Sequence, residues 1–436
     1  MGSEGGVLDP CHNLEGEARW GREYRPKSAP PRADRPSVGA RSGAKEVAPL
    51  PKLLHISDVH LDSRFAGLGL PPDLAAARRA EVRQAFTNLI GLAAAERVDA
   101  VLIAGDLFEH RWVTKATINA VREALHGLGD IPVLIAPGNH DPLVENSYYL
   151  TQEWPGNVRV FGRGRDGRVH PGLEAAELTA LGLTVWGYGS YRYDSDEDVL
   201  AGAWTALSAA GGRGRRVLLF HGSDTTTVPE GVPLFQPLDP HRAAAAGFGY
   251  VALGHYHGPK AKTVDGALVV YPGSPEALNF GEPGDHGAFL VTFDTDGPFR
   301  AEFRRVGRRS HVTSQVDLTG VTGDDEALAR ILGAAQPEAR RTDLFRLTLV
   351  GRLDPDLGLD LQDIRRRAAE SFGFIELSDE TRPDWDLEAL GRGDSARALF
   401  VREVLAAIEA EPARRPYWER VLAAGLSAFE GRAVSR

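Results

Sequence analysis

Five short apolar runs in this sequence end in side chains able to hold a metal ion. Leu53-Leu54-His55-Ile56 leads into Ser57-Asp58-Val59-His60, and Ala100 to Ala104 leads into Gly105-Asp106. Ile131 to Ile135 leads into Ala136-Pro137-Gly138-Asn139-His140-Asp141, Val217 to Phe220 into His221-Gly222, and Gly249 to Leu253 into Gly254-His255-Tyr256-His257. In α/β proteins ligands bind outside the carboxyl ends of the strands. Runs that deliver only Asp, Asn and His to one edge therefore predict a metal site. Asp58 and His60 stand two residues apart, as do His255 and His257; in an extended chain each pair would point to one side. Gly105, Gly138, Gly222, Gly254 and Gly258 flank these positions, and such turns let backbone crowd close to an ion or a phosphate.

One tetrahedral ion needs only about four ligands. The motifs offer two carboxylates, one amide and up to five imidazoles. That surplus suits two divalent ions about 3.5–4 Å apart that share a carboxylate and a solvent oxygen. Such a pair makes water nucleophilic near neutral pH and neutralises a phosphoryl oxygen during in-line attack. Mixed imidazole and carboxylate donors suit manganese, iron or zinc better than calcium.

The bulk composition narrows the alternatives. Cys11 is the only cysteine among 436 residues, so there is no intrachain disulfide and no thiolate zinc site. Any metal must sit on His, Asp, Glu or Asn, and there are thirteen histidines. The formal net charge of −10 argues mildly against a protein that lives on non-specific phosphate contacts. Bound divalent cations would reverse the local sign at a carboxylate-rich site. No apolar stretch approaches the roughly 20 residues that span a bilayer. Nor does the start of the chain hold the apolar run of about 7–15 residues expected of a secretory signal. A cytoplasmic protein is expected.

The elements that must position these residues follow from periodicity. Residues 1–50 are rich in Pro, Gly, Arg and Ser, show neither helix nor strand period, and read as a disordered leader or an early start codon. From Lys52 the chain alternates strand and helix: a helix over Leu74 to Ala95, with Val82, Phe86, Leu89 and Ile90 on one face, then another over Thr114 to Leu128. This β-α-β-α-β order predicts parallel strands. Leu183 to Tyr188, Val217 to Phe220, Gly249 to Leu253, Ala267 to Tyr271 and Ala288 to Phe293 read as a second sheet with mixed or antiparallel pairing at its end. The domain so formed spans 51–308. A small α/β unit follows over 309–381, with strands at His311 to Leu318, Leu344 to Leu349 and Phe374 to Leu377. Residues 382–436 read as terminal helices, with Asp394 as an N-cap and Val401, Val404, Leu405 and Ile408 as a stripe.

Taken in order, Asp58-x-His60, Gly105-Asp106, Gly138-Asn139-His140-Asp141, His221-Gly222 and Gly254-His255-x-His257 resemble the full motif set of calcineurin-like metallophosphoesterases. Gly-Asp alone would say nothing; the ordered set of five is specific. His60-Leu61-Asp62-Ser63-Arg64-Phe65, Gly105-Asp106-Leu107-Phe108 and Tyr271-Pro272-Gly273-Ser274-Pro275 resemble the DNA-repair nuclease branch, which includes SbcD and YhaO-type proteins. The resemblance covers roughly 52–306 and is loose over 310–436. It implies a two-sheet α/β/β/α sandwich with a C-terminal capping domain and an ATPase-docking segment. It further implies a manganese-dependent, di-metal nuclease with 3′-to-5′ double-strand exonuclease and single-strand endonuclease activity. DNA, an SMC-like or YhaN-like ATPase and a second copy of the chain are the implied partners.

Residue by residue, the resemblance puts one ion on Asp58, His60, Asp106 and His257. The other falls on Asp106, Asn139, His221 and His255, with Asp106 bridging. His140 would face the scissile phosphate as acid or charge stabiliser, a role for a protonated imidazole. Where related phosphatases place a carboxylate that orients this His, the chain has Glu109; pairing with His140 would raise the imidazole pKa. Asp141 is expected to brace its loop. His55 reads as a core residue, His110 as ambiguous, and His12, His126, His170, His241, His286 and His311 as surface or structural. Arg213, Arg215, Arg216, Arg304, Arg305, Arg308, Arg309 and Arg365 to Arg367 are candidate phosphate contacts. Two rivals share the sequence: a phosphodiesterase acting on small nucleotides, and a silent scaffold for the ATPase. The Leu107-Phe108 signature and C-terminal module count against the first, and the unbroken ligand set against the second.

Overall fold

A computed structural model describes residues 50–65, 68–209, 215–228, 232–294, 297–429 and 431. The expected leader up to residue 49, with Cys11 and His12, and Arg213 of the basic clusters lie outside the described residues.

Strand β1 (Lys52–Ile56) is an almost wholly buried run, as are β2 (Ala100–Ile103) and β3 (Val133–Ile135). Burial on both faces explains why these strands read as continuous apolar runs without alternation. They pair in parallel, with Ile56 opposite Ile103 and Ile103 opposite Ile135, so their carboxyl ends are level. The crossovers are α1 (Pro72–Glu96), which begins on a proline and ends with Arg97 at φ 51°, and α2 (Lys115–His126), whose N-cap Thr114 accepts from Thr117 N–H. Strand β4 (Val158–Val160) extends this sheet.

The second sheet runs from β5 (Glu174–Leu178) through β6 (Leu183–Gly187), β7 (Arg215–His221) and β8 (Tyr250–Gly254). It continues through β10 (Ala267–Tyr271) to β9 (Lys260–Val264). Its centre is parallel and both edges are antiparallel. One expectation is corrected here. The run at Ala288–Phe293 gives β11 (Gly287–Thr292), which lies in the first sheet, antiparallel to β1 and followed by β12 (Arg300–Arg305). A buried apolar run fits either sheet; only its pairing with Leu53–His55 assigns it.

Leu53, Leu102 and Leu134 of the first sheet share one buried cluster with Val185, Val217, Leu219, Ala252 and Val270 of the second. The other face of the second sheet packs Leu218, Phe220 and Val251 against Trp204, Leu207 and Ala243, while α1 buries Val82, Phe86 and Leu89. The result is an α/β/β/α sandwich.

The chain divides into two compact units, one ending at Ser310 and one beginning at His311. The second unit holds a parallel three-stranded sheet, His311–Asp317, Leu344–Val350 and Phe374–Asp379, around a core with Leu347, Leu349 and Ile364. Helices Ala396–Ala410 and Arg415–Phe429 form a separate apolar cluster with Val401, Val404, Ile408 and Leu422. The N-cap of the first of these helices is Ser395, whose hydroxyl accepts from Ala398 N–H, and not Asp394. Both residue types cap well, so only the geometry distinguishes them.

Candidate metal centre

Level strand ends bring the motifs together. His221 lies opposite Gly254 in the second sheet, and the loops after β1 and β2 bond to each other: Asp58 N–H donates to Gly105 C=O at 3.1 Å and His60 N–H to Asp106 C=O at 2.9 Å. The ligand pairs are not extended. Asp58, His60 and Asp106 adopt φ of 51°, 50° and 52°, and His255 adopts 112°. Asp and His tolerate the left-handed region better than most residues, but each such position still costs about 1–3 kcal/mol. A two-residue spacing therefore gave the right convergence for the wrong reason: tight left-handed turns, and not strand alternation, aim the donors.

The donor atoms converge among buried surroundings. Asp58, His60 and His257 offer ligand atoms all within 4.8 Å of one another, and so do Asp58, Asp106 and His221. His60 Nε2 faces His257 Nε2 at 3.2 Å. His221 Nε2 lies 3.3 Å from Asp106 Oδ2 and 3.0 Å from Asn139 Oδ1. The His255 ring sits 5.4 Å from that of His221, centroid to centroid, and its backbone N–H donates to Asp58 Oδ1 at 3.0 Å. It stands outside the two tight groups.

What aims the imidazoles is a set of acceptors on their outer nitrogens. His60 Nδ1 donates to Glu109 Oε1 at 2.8 Å, His257 Nδ1 to Glu282 Oε1 at 2.7 Å, and His221 Nδ1 to Ala104 C=O at 2.8 Å. Each bond fixes a tautomer and leaves Nε2 as the inward donor. Glu109 has a second duty, since Oε2 accepts from His140 Nδ1 at 3.0 Å. It thus joins a metal-facing histidine to the histidine at the mouth, where the sequence suggested only the latter. Asp141 is buried and accepts from Gly138 N–H at 2.7 Å, Leu107 N–H at 2.7 Å and Tyr149 O–H at 2.7 Å, bracing its loop as expected.

The electrostatics describe a place built for positive charge. Burial raises the Asp58 pKa, while Asp106, equally buried, is held well below the usual carboxylate range by His221 and His140. Burial would lower His221 and His257, but Asp106 and Glu282 respectively outweigh it and lift each to about 9. His255 is pulled down to about 3, burial first and the neighbouring His221 second. Burial would raise Glu109 and Glu282; His140 and His257 instead hold Glu109 well below its ordinary value and Glu282 at about 2. Buried carboxylates of this kind demand cations or protonated partners.

The surrounding backbone packs directly against the donors. A Cβ on Gly138 would collide with the Asp106 carboxylate and the His221 ring, and one on Gly254 with Ala104 C=O. Two carboxylates, an amide and inward-facing Nε2 atoms fit divalent metal ions.

Glu282 escaped the sequence reading. It lies 25 residues from His257 in a segment with no strand or helix period. Ser274, inside a motif that was noticed, donates to Glu282 Oε2 at 3.1 Å and was the one available pointer. His55 is a core residue, its Nδ1 2.8 Å from Tyr250 Oη. His286 is buried and bonds the Ser274 and Glu282 carbonyls, a structural role. His110 Nε2 lies 3.2 Å from Asn146 Oδ1, and among the described residues His110 is in none of the ligand-atom groups. Most of the clustered arginines serve the fold: Arg215 bonds Asp294 and Gly297 carbonyls, Arg216 the Leu207 and Ala246 carbonyls, and Arg309 the Glu81 carboxylate. Arg366 and Arg367 pair with Asp363 and Asp325.

Comparison with known proteins agrees with this geometry. The calcineurin-like phosphoesterase family model matches residues 51–259, a span that holds every metal-facing residue named above. The uncharacterized metallophosphoesterase YhaO of Bacillus subtilis is 27% identical over 398 residues, covering 84% of this chain and 92% of that protein. The DNA double-strand break repair protein Mre11 of Methanopyrus kandleri is 26% identical over 396 residues, covering 80% of this chain and 77% of that one. The Mre11 protein of Sulfolobus acidocaldarius is 30% identical over 262 residues, 57% of this chain and 62% of its own. With donors, strand ends and matched residues coinciding, the chain carries a calcineurin-like metallophosphoesterase domain and is related to YhaO and to the Mre11 repair proteins.

Proposed function

We propose that this protein is the nuclease subunit of a DNA-repair complex. It cuts phosphodiester bonds with two divalent ions, manganese by preference, as a 3′-to-5′ exonuclease on duplex and an endonuclease on single strands. The observation that carries the reading is a buried donor cluster with one imidazole, His140, at its more exposed side, tied by Glu109 to the metal-facing His60. The names of the Mre11 relatives supply the DNA.

In this reading Asp58, His60, Asp106 and His257 hold one ion, and Asp106, Asn139, His221 and His255 the other. When bound, the ions supply an activated water and stabilise charge on the transferring phosphoryl group. The chain does the rest. Glu109 and Glu282 hold two imidazoles in the tautomer that presents Nε2. Asp106 Oδ1 accepts from His140 N–H at 2.8 Å, which fixes the mouth residue relative to the shared carboxylate. With Nδ1 bonded to Glu109, His140 Nε2 is the nitrogen assigned to donate to a phosphate oxygen or a departing one. The terminal helices, which expose Leu399, Tyr417 and Phe429, are assigned to docking an SMC-like or YhaN-like ATPase, and the working form is a homodimer in the cytoplasm.

The test is to incubate the purified protein with Mn²⁺ and labelled linear duplex, and in parallel with a small diester. Degradation of the duplex is expected. Turnover of the small diester alone would replace this reading by the small-nucleotide phosphodiesterase, and turnover of neither by the scaffold.

A further inference from the structure

The donor cluster is more open on the side of His140. The side chains of His140 and Glu109 are 19% and 16% exposed, against 2% for His60 and Asp106. The loop that carries Glu109, and a loop bonded to the one that carries His140, each hold an exposed aromatic ring with an arginine over it. Trp112, three residues beyond Glu109, is 44% exposed, and the Arg64 guanidinium carbon lies 3.3 Å from its ring centroid. Tyr193 is 37% exposed, with the Arg111 guanidinium carbon 5.0 Å from its centroid.

Backbone bonds attach this pair of rings to the centre. Trp112 N–H donates to Glu109 C=O at 2.9 Å and His110 N–H to His140 C=O at 3.0 Å. The loop leading to Tyr193 is fastened to the Asn139–His140 loop on both sides: Ser190 N–H donates to Pro137 C=O at 2.9 Å and Leu143 N–H to Ser190 C=O at 2.8 Å. Three residues of chain reach at most about 11 Å, so Trp112 stands within about three nucleotide steps of Glu109. Arg64 and Arg111 form no ion pair among the described residues. Aromatic faces beside free cations suit a chain that alternates flat bases with phosphates. A duplex keeps its base faces stacked inside, so exposed rings select unpaired bases.

We propose that Trp112 and Tyr193, with Arg64 and Arg111, form a stacking ledge that holds a single strand of DNA leading into the metal centre. The ledge takes its occupant from the nuclease reading and gives that reading a substrate form. Bases stack on the two rings, and the arginines meet the flanking phosphates.

The test is fluorescence anisotropy with the full chain in Mn²⁺, using a labelled oligothymidylate about 12 nucleotides long with phosphorothioate linkages that resist cutting. Trp112→Ala and Tyr193→Ala are each expected to weaken single-strand binding by about fivefold to 150-fold. Trp112→Phe should restore most of it, and a blunt duplex of equal length should respond much less. Circular dichroism melts check that the variants fold, as truncation of exposed rings should allow. Three results would each overturn the ledge: alanine variants binding within about twofold of the parent, a Trp112→Phe variant no better than Trp112→Ala, or no single-strand binding by the parent. Loss of binding in the variants of a protein that cuts no DNA would support the ledge and sink the nuclease reading. Unchanged binding in the variants of a protein that does cut would sink the ledge alone.

Discussion

Replacing Glu282 by Gln tests whether the metal centre depends on the acceptors behind its histidines. Both carboxylate oxygens of Glu282 are saturated by donors. Oε1 accepts from His257 Nδ1 at 2.7 Å and Asn279 Nδ2 at 2.6 Å, and Oε2 from Leu278 N–H at 2.8 Å and Ser274 Oγ at 3.1 Å. An amide keeps the shape but must turn its NH₂ toward one of these pairs, setting donor against donor whichever way it flips. Leaving a buried donor unsatisfied costs about 1–3 kcal/mol. If the NH₂ faces His257, the imidazole loses the bond that fixes its tautomer, and such partners are worth about 10–100-fold in metal affinity. On the proposed two-ion reading, Glu282→Gln should therefore weaken the ion held by His257 by that factor while the ion nearer His221 keeps its affinity. The assay is calorimetric titration of the metal-stripped protein with Mn²⁺, read as two binding events, with a denaturant midpoint taken on the same samples. Two affinities within about twofold of the parent, in a folded variant, would refute the claim that Glu282 aims His257.

Three other perturbations probe the same domain. His140→Ala should lower turnover by about 10²–10⁴-fold and leave both ions bound; metal loss seen by elemental analysis would contradict its place at the mouth. Arg78 is wholly buried between Glu81 and Glu276 and donates to Ala277 C=O at 2.8 Å. Arg78→Met leaves the buried Glu276 without its cation, while Glu81 keeps Arg309, and should cost about 3–5 kcal/mol in urea unfolding, so a loss below about 1 kcal/mol would mean the cluster is hydrated. Burial lowers the His55 pKa from 6.5 to about 3. Because the folded value is depressed, the unfolded chain binds the proton first as pH falls below 6.5. Stability should drop by about 1.4 kcal/mol per pH unit from this group, down to the folded pKa. His55→Phe removes that slope, while its unpaired Tyr250 hydroxyl adds only a pH-independent cost, so parallel stability profiles between pH 6.5 and 4 would refute the assignment.

Much of the centre was legible because it is written in local pattern. A buried strand must be an apolar run, and a polar residue directly after it must sit at the sheet's edge, so Asp58, Asp106, Asn139, His221 and His257 could be placed without coordinates. The conformation of those residues was not legible. Spacing by two suggested extended pairs, whereas Asp58 and His60 occupy left-handed turns, which side-chain period does not report. Basic runs misled in a similar way. Arg215 and Arg216 looked like phosphate contacts by composition but bond main-chain carbonyls. Arg64 and Arg111, which lie over the Trp112 and Tyr193 rings, are isolated in sequence.

The sequence by itself determined a candidate donor set, the order in which strands deliver it and the layered α/β class, because hydrophobic burial imposes periodicity and strand ends impose position. Tertiary structure alone decided which partners aim those donors. Glu109 meets His60 across 49 residues and Glu282 meets His257 across 25, and a contact between one carboxylate and one imidazole leaves no repeat to detect. It also decided that β11 joins the first sheet, since a short apolar run pairs with whichever strand the packed core leaves open. The fold comes from many weak, periodic contacts and shows in the sequence; the tuning of the site comes from a few long-range ones and does not.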